Sequence, residues 1–216
     1  HMVQPGMIYI SNPTELGTIY LKEEITALKT VADMYGTPLF LDGARLGTAL
    51  TAEKNDVTLA DLARYTDLFY IGGTKMGALF GEALVINKTS LQKDFRYIQK
   101  QKGGMLAKGR LLGIQFKELF TDNLYFKIGA AMNETAKMIR EGFKKRGFDF
   151  LIESDTNQNF PIIEDRLLPE IAKDFGFEFW EKVFADKTAV RFCTSWATSK
   201  DSVTALFRFL DTVIKK

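Results

Sequence analysis

FLDGARLG, Phe40 to Gly47, is an apolar run that delivers an aspartate and, three residues later, an arginine to its carboxyl end. Phe40 and Leu41 read as the close of a strand, and Asp42-Gly43 as the turn that ends it. Asp-Gly is a common turn and helix-capping pair, so local backbone chemistry alone accounts for the stretch. In an open α/β sheet, however, ligands bind outside the carboxyl ends of the strands, which makes Asp42 and Arg45 candidate site residues.

Upstream, KEEITALKTVADMYG places Ile25, Leu28, Val31, Ala32 and Tyr35 on one expected helical face, with Gly36 as its C-terminal cap. MIYIS, at 7–11, reads as a preceding strand. Downstream, a short helical stretch around TLADLARY leads to two further strands, DLFYIGG and EALVI, separated by the glycine-rich turn TKMGALFG. Alternation of short apolar runs with amphipathic segments is the pattern of βα units around a parallel sheet. From Ser90 the pattern becomes helical, through LQKDFRYIQKQ, KGRLLGIQFKELF and LYFKIGAAMNETAKMIREGFKKRG. A smaller α/β unit follows, with FDFLI, NFPII and AVRFCTSW as its strands. Its closing helix, SVTALFRFLDTVI, is expected to be entered by a capping box of Thr198 with Asp201. The fold class predicted is α/β: a partial, mostly parallel sheet with helices over 1–122, and a smaller C-terminal α/β domain over 123–216, joined by the long helix.

The 216 residues are 46% hydrophobic, enough to bury a sizeable core. With 29 basic against 27 acidic residues, and no dense basic run interleaved with aromatics, nucleic acid is not an expected partner. No segment approaches the ~20 consecutive apolar residues of a membrane span. The single cysteine, Cys193, cannot form an internal disulfide and reads as a small buried hydrophobe in AVRFC. A cytoplasmic setting is expected. His1-Met2 is a pair that a cloning junction can leave, so His1 enters with two readings, native residue or scar.

Three successive strand ends give SNPTELGT, DGARLG and GGTKMG. If these strands are parallel neighbours, Asn12, Asp42 and Lys75 converge on one cleft. Singly, each has an ordinary explanation: a turn initiator, a cap, a solvated lysine. A lysine amine and a carboxylate at one site, with glycines that admit a bulky ligand, suit pyridoxal phosphate chemistry, in which the amine forms a Schiff base and the carboxylate keeps the pyridine nitrogen protonated. Arg45 can fork onto a substrate carboxylate, and so can Arg191 on AVRFCTSW, which reads equally as a surface arginine on an edge strand.

The order NPTELG, FLDGARLG, YIGGTKMGALFGEALVI, QKGGMLAKGRLLG and AVRFCTSW resembles the threonine aldolase and β-eliminating lyase family of pyridoxal-phosphate enzymes, which have the aspartate-aminotransferase-like fold type I. The resemblance runs through essentially the whole chain. It implies pyridoxal 5'-phosphate as cofactor, Lys75 as the lysine that binds it, Asp42 as the partner of the ring nitrogen, Thr74 near the phosphate and Asn12 near the ring. Arg45 and Arg191 would bind the substrate carboxylate. His1 falls at the spacing from Asn12 of a family histidine that reaches the substrate's β-hydroxyl, which makes it a candidate base. Two departures stand out. The family's glycine-rich phosphate loop and ring-stacking histidine belong upstream of this sequence, so the resemblance implies a C-terminal portion, expected not to hold the cofactor tightly by itself. Leu106 occupies a position where an arginine associated with the phosphate is usual; Lys102, Lys108 or Arg110 could supply the charge instead, or the site is altered, and Lys108 is the substitute expected. The implied activity is retro-aldol cleavage of a β-hydroxy amino acid to glycine and an aldehyde, by a homodimer or homotetramer. β-Elimination and transamination use the same residues, and a non-catalytic α/β binding or interaction protein is the alternative of another class.

Overall fold

The computed structural model describes residues 1–214. Its first sheet has the order β1 (Ile8–Ser11), β2 (Leu39–Asp42), β3 (Leu68–Gly72), β4 (Glu82–Ile86). The first three strands are mutually parallel and β4 runs antiparallel to β3, as a mostly parallel sheet requires. Parallel register sets Ser11 beside Asp42, so these strands end on one rim. The connections carry α1 (Lys22–Met34), α2 (Leu46–Leu50) and α3 (Leu59–Tyr65).

One face of this sheet is packed. Ile10, Leu39, Leu41, Phe69 and Ile71 alternate along the strands and are buried with Ile25, Ala32 and Leu62. Truncating Leu39 or Leu41, both fully buried, to alanine costs about 2–5 kcal/mol. Ile25 and Ala32 lie seven positions apart, about 20° short of two full turns, whereas Val31 lies about 120° away from Ile25 on the helical wheel. Val31 and Tyr35 are accordingly exposed, contrary to the face expected from the sequence. The opposite face of the sheet carries Phe40 in ring contact with Tyr9 on one side and Tyr70 on the other.

Asp94, with a left-handed backbone (φ 57°), divides the stretch read as one helix at LQKDFRYIQKQ, leaving α4 at Phe95–Gln101. α5 (Arg110–Phe120) follows, and then α6 (Leu124–Lys144), whose 21 residues span about 30 Å. α6 serves two apolar clusters: Tyr125 and Met132 in the one beneath the first sheet, Ile139 and Phe143 in the second. At Gly47 and Gly129 it meets α2 closely, and the fully buried Tyr125 hydroxyl accepts from the Gly47 N–H (3.2 Å) and donates to the Gly72 carbonyl (3.1 Å). The long helix thereby fixes two of the loops at the rim.

The second sheet is antiparallel throughout: β5 (Gln158–Asn159) and β6 (Ile162–Glu164) lie along β8 (Lys187–Cys193), and β7 (Glu178–Phe184) pairs with β8 as well. NFPII, expected as one strand, is split because Pro161 has no N–H to give to the ladder. FDFLI forms only a bridge between Phe150 and Pro161, and its Phe148 and Phe150 turn instead onto the buried Phe143 ring. β7, not expected from the sequence, is a charged and largely exposed strand with two register shifts. α7 (Leu168–Ile171) and α8 (Lys200–Val213) complete the unit. The cap of α8 is Ser199, which accepts from the Ser202 N–H, while the Thr198 hydroxyl accepts from the Ser195 N–H. No helix of the described residues is long and apolar enough to cross a membrane.

Candidate active site

Backbone hydrogen bonds stitch the three parallel strand ends together. The Asn12 N–H donates to the Asp42 carbonyl (2.9 Å), and the Gly72 N–H to the Gly43 carbonyl (2.8 Å). The crossing is too close for side chains: a Cβ on Gly43 would lie 2.0 Å from the Tyr70 carbonyl oxygen, and one on Gly72 2.3 Å from that of Ala44. Glycine at these positions is therefore a condition of the rim.

Asp42 is half-buried at the centre of the rim. Its Oδ1 accepts from the Tyr70 hydroxyl and from the Ala44 N–H (2.9 Å), and its Oδ2 accepts from the Tyr9 hydroxyl. Burial pushes the Asp42 carboxyl up, but hydrogen bonds from Tyr70, Tyr9 and Ala44, with the nearby Lys75 charge, outweigh it and hold the group below the ordinary carboxylate range. The same contact and burial push the Tyr70 hydroxyl up, so it remains a donor.

Lys75 sits on a 3-10 turn, Thr74–Met76, anchored by the fully buried Met76 and closed by Gly77 in the left-handed region (φ 100°). Its side chain faces solvent along much of its length, yet partial burial of the amine, and then the Arg45 guanidinium, lower its pKa; Asp42 and Glu82 act the other way. Glu82, across the β3–β4 pair from Gly72, accepts from the Gly73 N–H (2.6 Å) and, at 3.5 Å, from the Thr74 hydroxyl. Burial raises the Glu82 carboxyl despite these bonds. Arg45 occupies the position just before α2, half-buried, with its carbonyl accepting from Thr48.

Asn12 is fully buried; its Oδ1 accepts from the Tyr20 N–H (3.3 Å), and its Nδ2 is one of three buried side-chain polar atoms without a hydrogen-bond partner among the described residues. Arg191 lies on β8, which is paired on both sides, so it is not the edge-strand arginine of the simpler reading. Its guanidinium donates to Gln158 (3.3 Å) and to the carboxylate of Glu178, and stands over the Trp180 ring. Gln158 in turn donates to the Thr14 carbonyl (3.2 Å), which ties Arg191 to the loop that follows Asn12.

Asn12, Asp42, Arg45, Thr74 and Lys75 thus share one rim, with Arg191 joined to it through Gln158. Lys108 is exposed in the turn before α5, with no hydrogen bond or ion pair to that rim among the described residues. His1 lies in the exposed segment 1–7 that precedes β1, with no hydrogen bond or ion pair to that rim among the described residues. Cys193 is exposed rather than buried, at the end of β8, where it accepts from Asn157 Nδ2 (3.3 Å) and contributes to the field at Lys75. Tyr9, Tyr70, Glu82 and Gln158 are the contributors that the sequence reading missed. Strand alternation was the available signal for the tyrosines, since Tyr9 and Tyr70 each lie two residues before their strand's last member.

The first sheet brings an amine, a carboxylate and one guanidinium to the ends of its strands, with Arg191 of the second sheet joined to them through Gln158, and the α/β architecture is of the fold type I kind. The architecture agrees with an aspartate aminotransferase of Thermus thermophilus at a TM-score of 0.69, over 96% of this chain and 56% of that one, at 13% identity, a likeness of fold alone. The sequence pattern of the beta-eliminating lyase family matches residues 1–166, and the chain belongs to that family. It is similar to the low specificity L-threonine aldolase of Pseudomonas aeruginosa, 26% identical over 209 residues that make up 96% of this chain and 60% of the relative. The structure of a threonine aldolase from Leishmania major superposes with a TM-score of 0.93 at 44% identity, covering all of this chain and 62% of that one. The chain thus spans about three fifths of the length of the relatives it matches.

Proposed function

We propose that this chain carries the ring-holding and substrate-holding side of a pyridoxal 5'-phosphate site that cleaves a β-hydroxy amino acid, threonine or allo-threonine, to glycine and an aldehyde. The observation that carries the reading is Lys75: an amine made easier to deprotonate by burial and by Arg45, on the same rim as an ionised carboxylate. The two relatives named as threonine aldolases support the same substrate class.

The residues fit the ring end of the cofactor. Asp42 is an ionised acceptor of the kind a protonated ring nitrogen needs, and the unpartnered Nδ2 of Asn12 at the adjacent strand end is a donor without an occupant. Thr74 and Lys108 are the residues proposed for the phosphate. When bound, the cofactor supplies a conjugated electron sink for the bond broken at the substrate's Cα. Asp42 holds the ring proton by its charge. Lys75 supplies the amine of attachment, and its lowered pKa keeps a larger share of it neutral near pH 7. Arg45 and Arg191 would hold the substrate carboxylate and so orient the amino acid at the rim. His1 is the residue proposed to take the proton of the β-hydroxyl, although no contact joins it to this cluster among the described residues. We propose a homo-oligomer in the cytoplasm as the working form.

The test is product analysis of the full-length protein supplied with pyridoxal phosphate and L-threonine or L-allo-threonine. Glycine and acetaldehyde in equal amounts are expected, and lost in Lys75→Ala. Pyruvate and ammonia from L-serine, with no glycine from threonine, would overturn the assignment in favour of elimination.

A further inference from the structure

Asp42 is held by more donors than a simple counter-ion needs. Each carboxylate oxygen offers two acceptor sites. On Oδ1 both are taken, by the Tyr70 hydroxyl and by the Ala44 N–H at 2.9 Å; on Oδ2 one is taken, by the Tyr9 hydroxyl. The two phenols come from the strands on either side of β2, so the carboxylate is gripped across the sheet. Their rings are set by Phe40, two residues before Asp42 on the same face: it meets Tyr9 edge-on at 5.5 Å and Tyr70 at 6.1 Å.

We infer that Tyr9 and Tyr70 are positioning residues: together they fix the rotation of the Asp42 carboxylate and leave a single acceptor site, on Oδ2, open for a protonated ring nitrogen. The inference rests on the proposed cofactor site and adds to it the device that aims the carboxylate. A free aspartate turns readily about its terminal torsion, which is broad. Donors on both oxygens remove that freedom before any ligand arrives, and stabilise the charged form. The charged and titratable groups around Asp42 are Tyr9 and Tyr70 on the flanking strands, with Glu15 beside Tyr9, Lys75 on its turn, Glu82 on β4 and Arg45 at the head of α2. The two tyrosines alone among these donate to the carboxylate from a side chain.

Tyr9→Phe and Tyr70→Phe keep the rings and remove only the hydroxyls. In the cofactor-free full chain, carbon-13 titration of the Asp42 carboxyl is expected to move to higher pH in each variant, and further in the double variant. Ile10→Val, which alters packing on the buried face of β1 but touches neither a donor nor Phe40, is expected to leave the titration close to that of the parent. An Asp42 titration unchanged by both tyrosine replacements, or moved as far by Ile10→Val, overturns the inference. The cofactor reading is tested separately, by borohydride trapping of the parent chain with excess pyridoxal phosphate: absence of a pyridoxyl adduct on Lys75 sinks that reading without touching the carboxyl titration. Given the adduct, the ring proton should be lost at lower pH in the tyrosine variants than in the parent, and coincident absorbance profiles would overturn the positioning role.

Discussion

Gly129→Ala tests whether the contact of α6 with α2 holds the rim in place. A Cβ at Gly129 would lie 2.3 Å from the Gly47 carbonyl oxygen and 2.6 Å from its carbon, both backbone atoms that no rotamer change can move. The two helices must separate. Overpacking of this kind costs about 3 kcal/mol, the upper end of the usual range, because the obstacle is main chain. The better helix propensity of alanine returns about 1 kcal/mol, leaving a net loss of about 2 kcal/mol. If α6 withdraws far enough to break both Tyr125 bonds, to Gly47 and Gly72, roughly 1 kcal/mol for each brings the loss to about 4 kcal/mol. For a chain of this size that is a fall in Tm of about 4–16 °C. Gly113→Ala is the matched control: it is also helical, but a Cβ there meets nothing within 4 Å, so alanine should stabilise by about 0.5–1 kcal/mol. Urea unfolding followed by far-ultraviolet circular dichroism measures both. A Gly129→Ala chain as stable as the parent, or one that shifts in step with Gly113→Ala, would refute the close-approach account of how α6 fixes the rim.

Tyr125→Phe keeps the ring stack on Phe120 but leaves the Gly47 N–H and the Gly72 carbonyl without their partner, so a loss of roughly 1–3 kcal/mol is expected in the same denaturation assay. Glu82→Gln removes an anion that raises the Lys75 pKa; competitive reductive methylation against pH should show the amine titrating lower still, and an unchanged or higher value would contradict the electrostatics of the turn. At the start of α3, Thr58 and then Lys22 hold the Asp61 carboxyl at about 2, below its ordinary 3.8. A depressed carboxylate adds stability that is present above the ordinary value and disappears as pH falls through the folded value. The stability difference between the parent and Thr58→Ala should therefore be full at neutral pH and shrink between pH 4 and 2, read from unfolding midpoints across that range.

Much of the first sheet was legible because βα units repeat a local rule. Strands β1 to β3 fall where short apolar runs end in Asn-Pro, Asp-Gly or Gly-Gly, and their buried residues alternate along them, while β4 is the apolar run that follows the glycine-rich turn. The second sheet was harder. β7 carries Glu178, Glu181 and Lys182 and buries little, so its apolar signal is weak; its existence depends on pairing with β8, a contact between distant residues. NFPII and FDFLI failed for the opposite reason. Both are apolar enough for strands, but Pro161 interrupts one, and the phenylalanines of the other find a better partner in Phe143 than in a ladder.

Of the residues gathered at the rim, charged groups at a strand end could be read from sequence, and the side chains that contact them from within neighbouring strands could not. Asp42, Lys75 and Arg45 announce themselves by residue type beside glycines. Tyr9 and Tyr70 look like ordinary strand aromatics until the parallel register sets them on either side of Asp42. Arg191 shows the same dependence. Its link to the rim rests on Gln158 reaching Thr14, a contact spanning 144 positions of the chain. The meaning of FLDGARLG therefore resides less in its own letters than in the two neighbouring strands that decide where its carboxylate points.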